Sequence, residues 1–70
     1  MLPSDVSNRV SEALLNDPRT ARATIDVATE HGMVSLTGTV ASVGVRQAAE
    51  EVARAQKGVV TVMNELKVKA

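Results

Sequence analysis

The stretch Gly32-Met33-Val34-Ser35-Leu36-Thr37-Gly38-Thr39-Val40 decides the fold. It alternates with a period of two. Val34, Leu36, Gly38 and Val40 fall on one side, and Met33, Ser35, Thr37 and Thr39 on the other. Alternation of this length marks a strand with one face buried. Gly32 opens the stretch at a turn, and Gly38 interrupts the apolar row. The segment reads as the central strand of a small sheet, with apolar segments before and after it packing on its Val/Leu face.

Just upstream, residues 23–29 alternate as well. Ile25 and Val27 lie on one side, with Thr24, Asp26 and Ala28 on the other. Glu30-His31-Gly32 is short enough for a hairpin turn, with Gly32 able to adopt positive φ. The two strands are therefore expected to pair antiparallel. Further back, Val6, Val10, Ala13 and Leu14 recur at helical spacing. Ser4 suits the cap of that helix and Asp5 its first turn. Asp5–Arg9 and Arg9–Glu12 are spaced as ion pairs on its wet face. The helix should stop near Asn16, because Pro18 disfavours helical backbone at Asp17. Residues 19–22 read as a short connection.

Downstream, Ser42 suits the cap of a second helix. Val45, Ala48, Ala49, Val52, Ala53 and Gln56 mark its inner face, and the alanines permit close approach to the sheet. Glu50 and Arg54 are spaced as an ion pair on its outer side. Gly44 weakens its first turn slightly. Lys57 suits the negative end of the dipole, and Gly58 the left-handed position after the helix. Residues 59–68 read as the third strand. Val60, Val62, Asn64, Leu66 and Val68 share its core side, and Val59, Thr61, Met63, Glu65 and Lys67 the other. A right-handed crossover lays it parallel beside the second strand. The expected class is α+β: an αββαβ two-layer sandwich, one domain over residues 1–70. Its three-stranded mixed sheet has order 1-2-3, with two helices on one face.

Composition narrows the function. Seventy residues bury only about 60% of their unfolded surface. Without Cys the chain can form neither a disulfide nor a thiolate metal site. Without Phe, Tyr or Trp, its core must be built from Val, Leu, Ile, Ala and Met. Eight basic residues balance eight acidic ones. That balance argues against a nucleic-acid partner bound through phosphates, and the missing aromatics remove the stacking platform of single-strand binders. No apolar run approaches the ~20 residues needed to span a bilayer. No basic segment followed by an apolar one opens the chain. The expectation is a cytosolic protein, or a mature or excised domain.

Two glycine-anchored patterns carry a resemblance. Residues 32–40 are similar to "G-x-V-x-L-x-G-x-V". Gly58-Val59 with Val62-Met63-Asn64-Glu65-Leu66-Lys67-Val68 is similar to "G-V-x-x-V-x-N-x-L-x-V". An Asp and an apolar stripe begin the first helix, Asp17-Pro18 follows Ala13-Leu14-Leu15, and Ile25-Asp26-Val27 precedes the first pattern. Together they resemble the BON domain, named for bacterial osmotically inducible protein Y and nodulation proteins. The resemblance implies an αββαβ fold and a bacterial, non-enzymatic module without cofactors, usually at the cell envelope or periplasm. Its implied partners are anionic phospholipid or envelope surfaces, and another domain or a second copy of itself. Some members of the family are cytoplasmic, and one senses potassium, so ion or small-molecule sensing is an alternative. The family's hallmark residues are structural and transfer no binding site.

No catalytic or metal-ligating set can be assembled from the residues. His31, the sole His, reads as a solvated turn residue. Ser35, Thr37 and Thr39 have no base beside them. Glu50 and Glu51 are adjacent on a helix and do not face each other. The four glycines lack phosphate-loop spacing. Asn64 stands in a core-facing row, where it would satisfy backbone groups. Two binding surfaces are expected. One is a basic end formed by Arg54, Lys57, Lys67 and Lys69. The other is the sheet face away from the helices, carrying Thr24, Met33, Ser35, Thr37, Thr61 and Met63, as an interaction or self-association face.

Overall fold

The computed structural model describes residues 5–69, with the Asp5 side chain outside the described residues. The expected Ser4 cap and Asp5–Arg9 pair also lie outside them. The order is α1 (Asp5–Asn16), β1 (Thr24–Glu30), β2 (Met33–Val40), α2 (Val43–Arg54) and β3 (Thr61–Val68). The sheet order is β1-β2-β3. β1 pairs antiparallel with β2, and β3 pairs parallel to it. The fold is thus the α+β arrangement expected, with both helices on one face of a mixed sheet.

The alternation of β2 is realised side by side. Val34, Leu36 and Val40 are buried, while Met33, Thr37 and Thr39 are exposed. Val10 and Leu14 of α1, Ala49, Val52 and Ala53 of α2, and Leu66 of β3 complete the core with them. The helix alanines keep α2 close to the sheet without an aromatic ring to fill space. Ser42 caps α2, its Oγ accepting from the Val45 N–H at 3.3 Å.

His31 and Gly32 alone link β1 to β2, at φ 52° and 81°. Positive φ at both central residues is the two-residue hairpin geometry whose twist matches paired strands. Gly38 is demanded by close approach. A Cβ there would lie 2.6 Å from the Thr24 carbonyl oxygen, at φ +133°.

Three expectations are corrected. The third strand starts at Thr61, not at residue 59. Val59 packs on the core, whereas Val60 is 81% exposed. The chain is still turning there: Gly58 has φ +95°, the Val59 N–H bonds the Gln56 carbonyl, and the Val60 N–H bonds the Gly32 carbonyl. Alternation begins only once the β2 ladder takes over. The second helix stops at Arg54, with Ala55 as its cap, so Gly58 stands three residues beyond it. The Gln56 amide takes the Val52 carbonyl at 3.0 Å and closes the helix a turn early. On α1, Arg9 does not turn to Glu12. Its Nη1 donates to the Lys57 carbonyl at 2.9 Å and ties α1 to the loop before β3.

Residues 17–23 form a knot that closes α1, where the sequence suggested only a connection. Thr20 is buried, and its hydroxyl donates to the Leu14 carbonyl at 2.6 Å. The Asp17 carboxylate accepts from the Arg19 backbone at 2.8 Å, and from Arg19 Nε and Nη2 at 3.1 and 3.0 Å. Helix-end carbonyls need such partners, because burying one unpaired is costly.

Candidate functional site

The face of the sheet away from the helices is built in rows by the strand register. From β1 to β3 they run Glu30–Met33–Thr61, Ala28–Ser35–Met63, Asp26–Thr37–Glu65 and Thr24–Thr39–Lys67. The expected interaction residues Met33, Thr37, Thr61 and Met63 do share this face. Met33 and Met63 are 43% and 44% exposed, in adjacent rows. The same face also carries carboxylates that the expected interaction set lacks: Asp26 and Glu65 flank Thr37 in an inner row, and Glu30 stands beside Met33 in the row at the hairpin end.

The four expected cations are not brought together. Lys57 precedes β3 and Arg54 ends α2, whereas Lys67 and Lys69 lie at the far end of β3. The eight residues of β3, at a rise of about 3.3 Å, span about 23 Å between the segment that holds Lys57 and the end that holds Lys69. Arg54 is also engaged, its Nη2 2.8 Å from Glu50 Oε2.

A different group gathers instead. β1 runs antiparallel to β2 and β3 parallel to it, so the start of β1 adjoins the ends of β2 and β3. Arg19 and Arg22, just before β1, thereby join Lys67 and Lys69. Arg19, Arg22 and Lys69 line a cleft of about 290 Å³ together with Thr24, Thr39 and Val45. The Lys69 N–H is anchored on the Val40 carbonyl at 2.8 Å. Arg19 is held by Asp17, and its Nη1 lies 4.0 Å from Glu51 Oε1. The hydrogen bonds from Arg19 hold the Asp17 carboxyl below the usual carboxylate range, and raise the Arg19 guanidinium in turn. Among the described residues, Arg22, Lys67 and Lys69 have no ion-pair partner. The signal for Arg19 and Arg22 was available: the antiparallel-then-parallel topology already places their segment beside the end of the third strand.

Asn64 is structural. β3 is an edge strand, and its Thr61 and Lys69 N–H groups point to β2. The Leu66 N–H, at an even position, points outward and is taken by Asn64 Oδ1 at 3.2 Å. Asn64 Nδ2 donates to the Arg46 carbonyl at 2.9 Å and to Glu50 Oε1 at 3.4 Å. The amide clamps α2 to the sheet edge. His31 sits exposed in the hairpin turn. Among the described residues, no three His, Cys, Asp or Glu side chains come together to hold a metal ion. No helix there is long and apolar enough to cross a membrane.

A family model described as the BON domain matches residues 4–70, nearly the whole chain. The chain belongs to the BON domain family. Among curated proteins, none matches it. The BON domain is a binding-type module. Its glycine-anchored patterns, which carried the resemblance, serve the fold. Gly32 and Gly58 shape turns, Gly38 admits the Thr24 carbonyl, and Asn64 closes the edge. None of these four residues lines the cationic cleft, although Thr39 and Val40, at the end of the first pattern, do.

Proposed function

We propose that this BON domain acts by binding and not by catalysis, holding weakly to anionic phospholipid or cell-envelope surface through the end that carries Arg22, Lys67 and Lys69. One observation carries the reading: the topology collects these cations, with Arg19, at a single end where, among the described residues, only Asp17 and Glu51 engage a cation. A cation near an anionic bilayer contributes about 1 kcal/mol. Three give about 3 kcal/mol, weaker than the 4.1 of a millimolar complex. A lone domain therefore holds loosely, and firm attachment requires repeated or linked modules. A periplasmic, envelope-associated setting under osmotic or envelope stress belongs to this proposal, by the likeness to the family.

Co-sedimentation with anionic and neutral vesicles tests it. The domain should pellet with anionic vesicles at low salt and be released at high salt. Arg22→Glu with Lys69→Glu should abolish pelleting, while Lys57→Glu, at the opposite end, should leave it unchanged. Absence of pelleting at low salt removes the reading.

A second reading is self-association through the open sheet face, favoured by the exposed Met33 and Met63 in adjacent rows. Sedimentation velocity decides it. A concentration-dependent species that Met63→Asp dissolves supports it, and a monomer at all concentrations refutes it.

A further inference from the structure

We propose that the cleft between the start of β1, the end of β2 and the segment after β3 is a receptor for one tetrahedral oxyanion, a phosphate or phosphodiester. Arg22 and Lys69 hold it, with the hydroxyls of Thr24 and Thr39 as further donors. The inference rests on the surface-binding reading and narrows it from diffuse charge attraction to a discrete subsite.

Three features of the cleft converge. Its volume of about 290 Å³ has room for a phosphate group, and among the described residues its lining holds three cations, of which Arg19 is paired with Asp17, and no carboxylate. Like charges around one concavity repel one another, and a concave wall focuses their field, so an anion between them turns repulsion into attraction. The lining also supplies donors of both kinds, charged from Arg22 and Lys69 and neutral from Thr24 and Thr39. Thr24 and Thr39 are directly opposed across β1 and β2, and Lys67 opposes Thr39 from β3. A guanidinium fork and an ammonium beside two hydroxyls can each give a charge-assisted or neutral hydrogen bond to a different oxygen. Finally, the cleft is held in place. Asp17 fixes Arg19 at its rim, the Val40 carbonyl fixes the Lys69 backbone, and Gly38 lets the Thr24 strand approach. The cleft beside Asn64 differs in kind, being lined by Glu50 and Glu51.

The test uses the whole chain and two probes. Amide NMR shifts are followed in inorganic phosphate against chloride of equal ionic strength, and pelleting is followed with phosphatidylglycerol and phosphatidylcholine vesicles. Phosphate should give saturable shifts at residues 22–24, 39–41 and 69. Thr39→Val, which keeps charge and shape, should weaken saturation about five-fold, and Arg22→Gln about ten-fold or more. If Thr39→Val also weakens pelleting with phosphatidylglycerol, the oxyanion is a lipid headgroup. If phosphate saturates the cleft and vesicles do not bind, the subsite stands for free phosphate and the surface reading falls. If vesicles bind equally to wild type and Thr39→Val, and phosphate shifts match those in chloride, the subsite is overturned while the surface reading stands.

Discussion

Replacing Gly38 by alanine should cost this domain much of its stability, and the size of the loss can be worked from the structure. The added Cβ would sit 2.6 Å from the Thr24 carbonyl oxygen, whereas ordinary contact begins near 3.4 Å. The obstacle is backbone, so β1 must move away next to the Ile25↔Gly38 position of the ladder. The residue is also held at φ +133°, which L side chains rarely adopt. Backbone strain of this kind costs about 1–3 kcal/mol, and forced overpacking about 1–3 more. Together they come to about 2–6 kcal/mol, against about 3.5–10 kcal/mol expected for seventy residues. Urea denaturation is the assay, followed by far-UV circular dichroism because the chain has no Trp, Tyr or Phe. With a slope of about 1 kcal/mol/M, the midpoint should fall by about 2 M or more. Gly44→Ala is the control of opposite sign. Its nearest neighbour would be Ser42 Oγ at 3.6 Å, and it lies in α2. It should raise stability by a few tenths to about 1 kcal/mol. A Gly38→Ala midpoint within about 0.5 M of wild type would refute the close-approach reasoning.

Asn64→Ala removes the donor to Arg46 and the acceptor for Leu66, and should destabilise by about 1–2 kcal/mol in the same assay. Asn64→Asp keeps the acceptor but sets a carboxylate beside Glu50, so its deficit should shrink as pH falls into the carboxylate range. Thr20→Val strands the Leu14 carbonyl and should cost about 1–3 kcal/mol, with faster amide exchange in the last turn of α1; Thr20→Ser, which keeps the hydroxyl, should lose less. Asp17 has a lowered folded pKa, so its contribution is fully present above the unfolded value of about 3.9 and is lost as pH falls through the folded value. Denaturation midpoints of Asp17→Asn should therefore fall less steeply than wild type below about pH 4, and equal slopes would disprove the linkage.

The core was legible because burial imposes a period. Val34, Leu36 and Val40 repeat every two residues, and Val10, Leu14, Ala49, Val52 and Ala53 sit at helical spacing. Val60 shows the limit. Its alternation continued the strand on paper, but a turn anchored on the Gly32 carbonyl holds it outside the ladder. Thr20 was illegible for a related reason. A buried hydroxyl paired with a helix-end carbonyl has no repeat to announce it, and residues 17–23 look like any polar connection. The binding surface was the least legible part. Arg54, Lys57, Lys67 and Lys69 are close in sequence, yet β3 carries two of them to the opposite end of the molecule.

The amino-acid order alone settled the elements, their succession and the side each strand buries, since steric period and hydrophobic burial act over a few neighbouring residues. Only the folded chain decided which charges meet. A solvated Arg or Lys follows no period and is positioned by strand direction and register. An antiparallel pair beside a parallel one brings Arg22 to Lys69 across forty-seven residues of chain, and keeps Lys57, twelve residues from Lys69, a full strand length away.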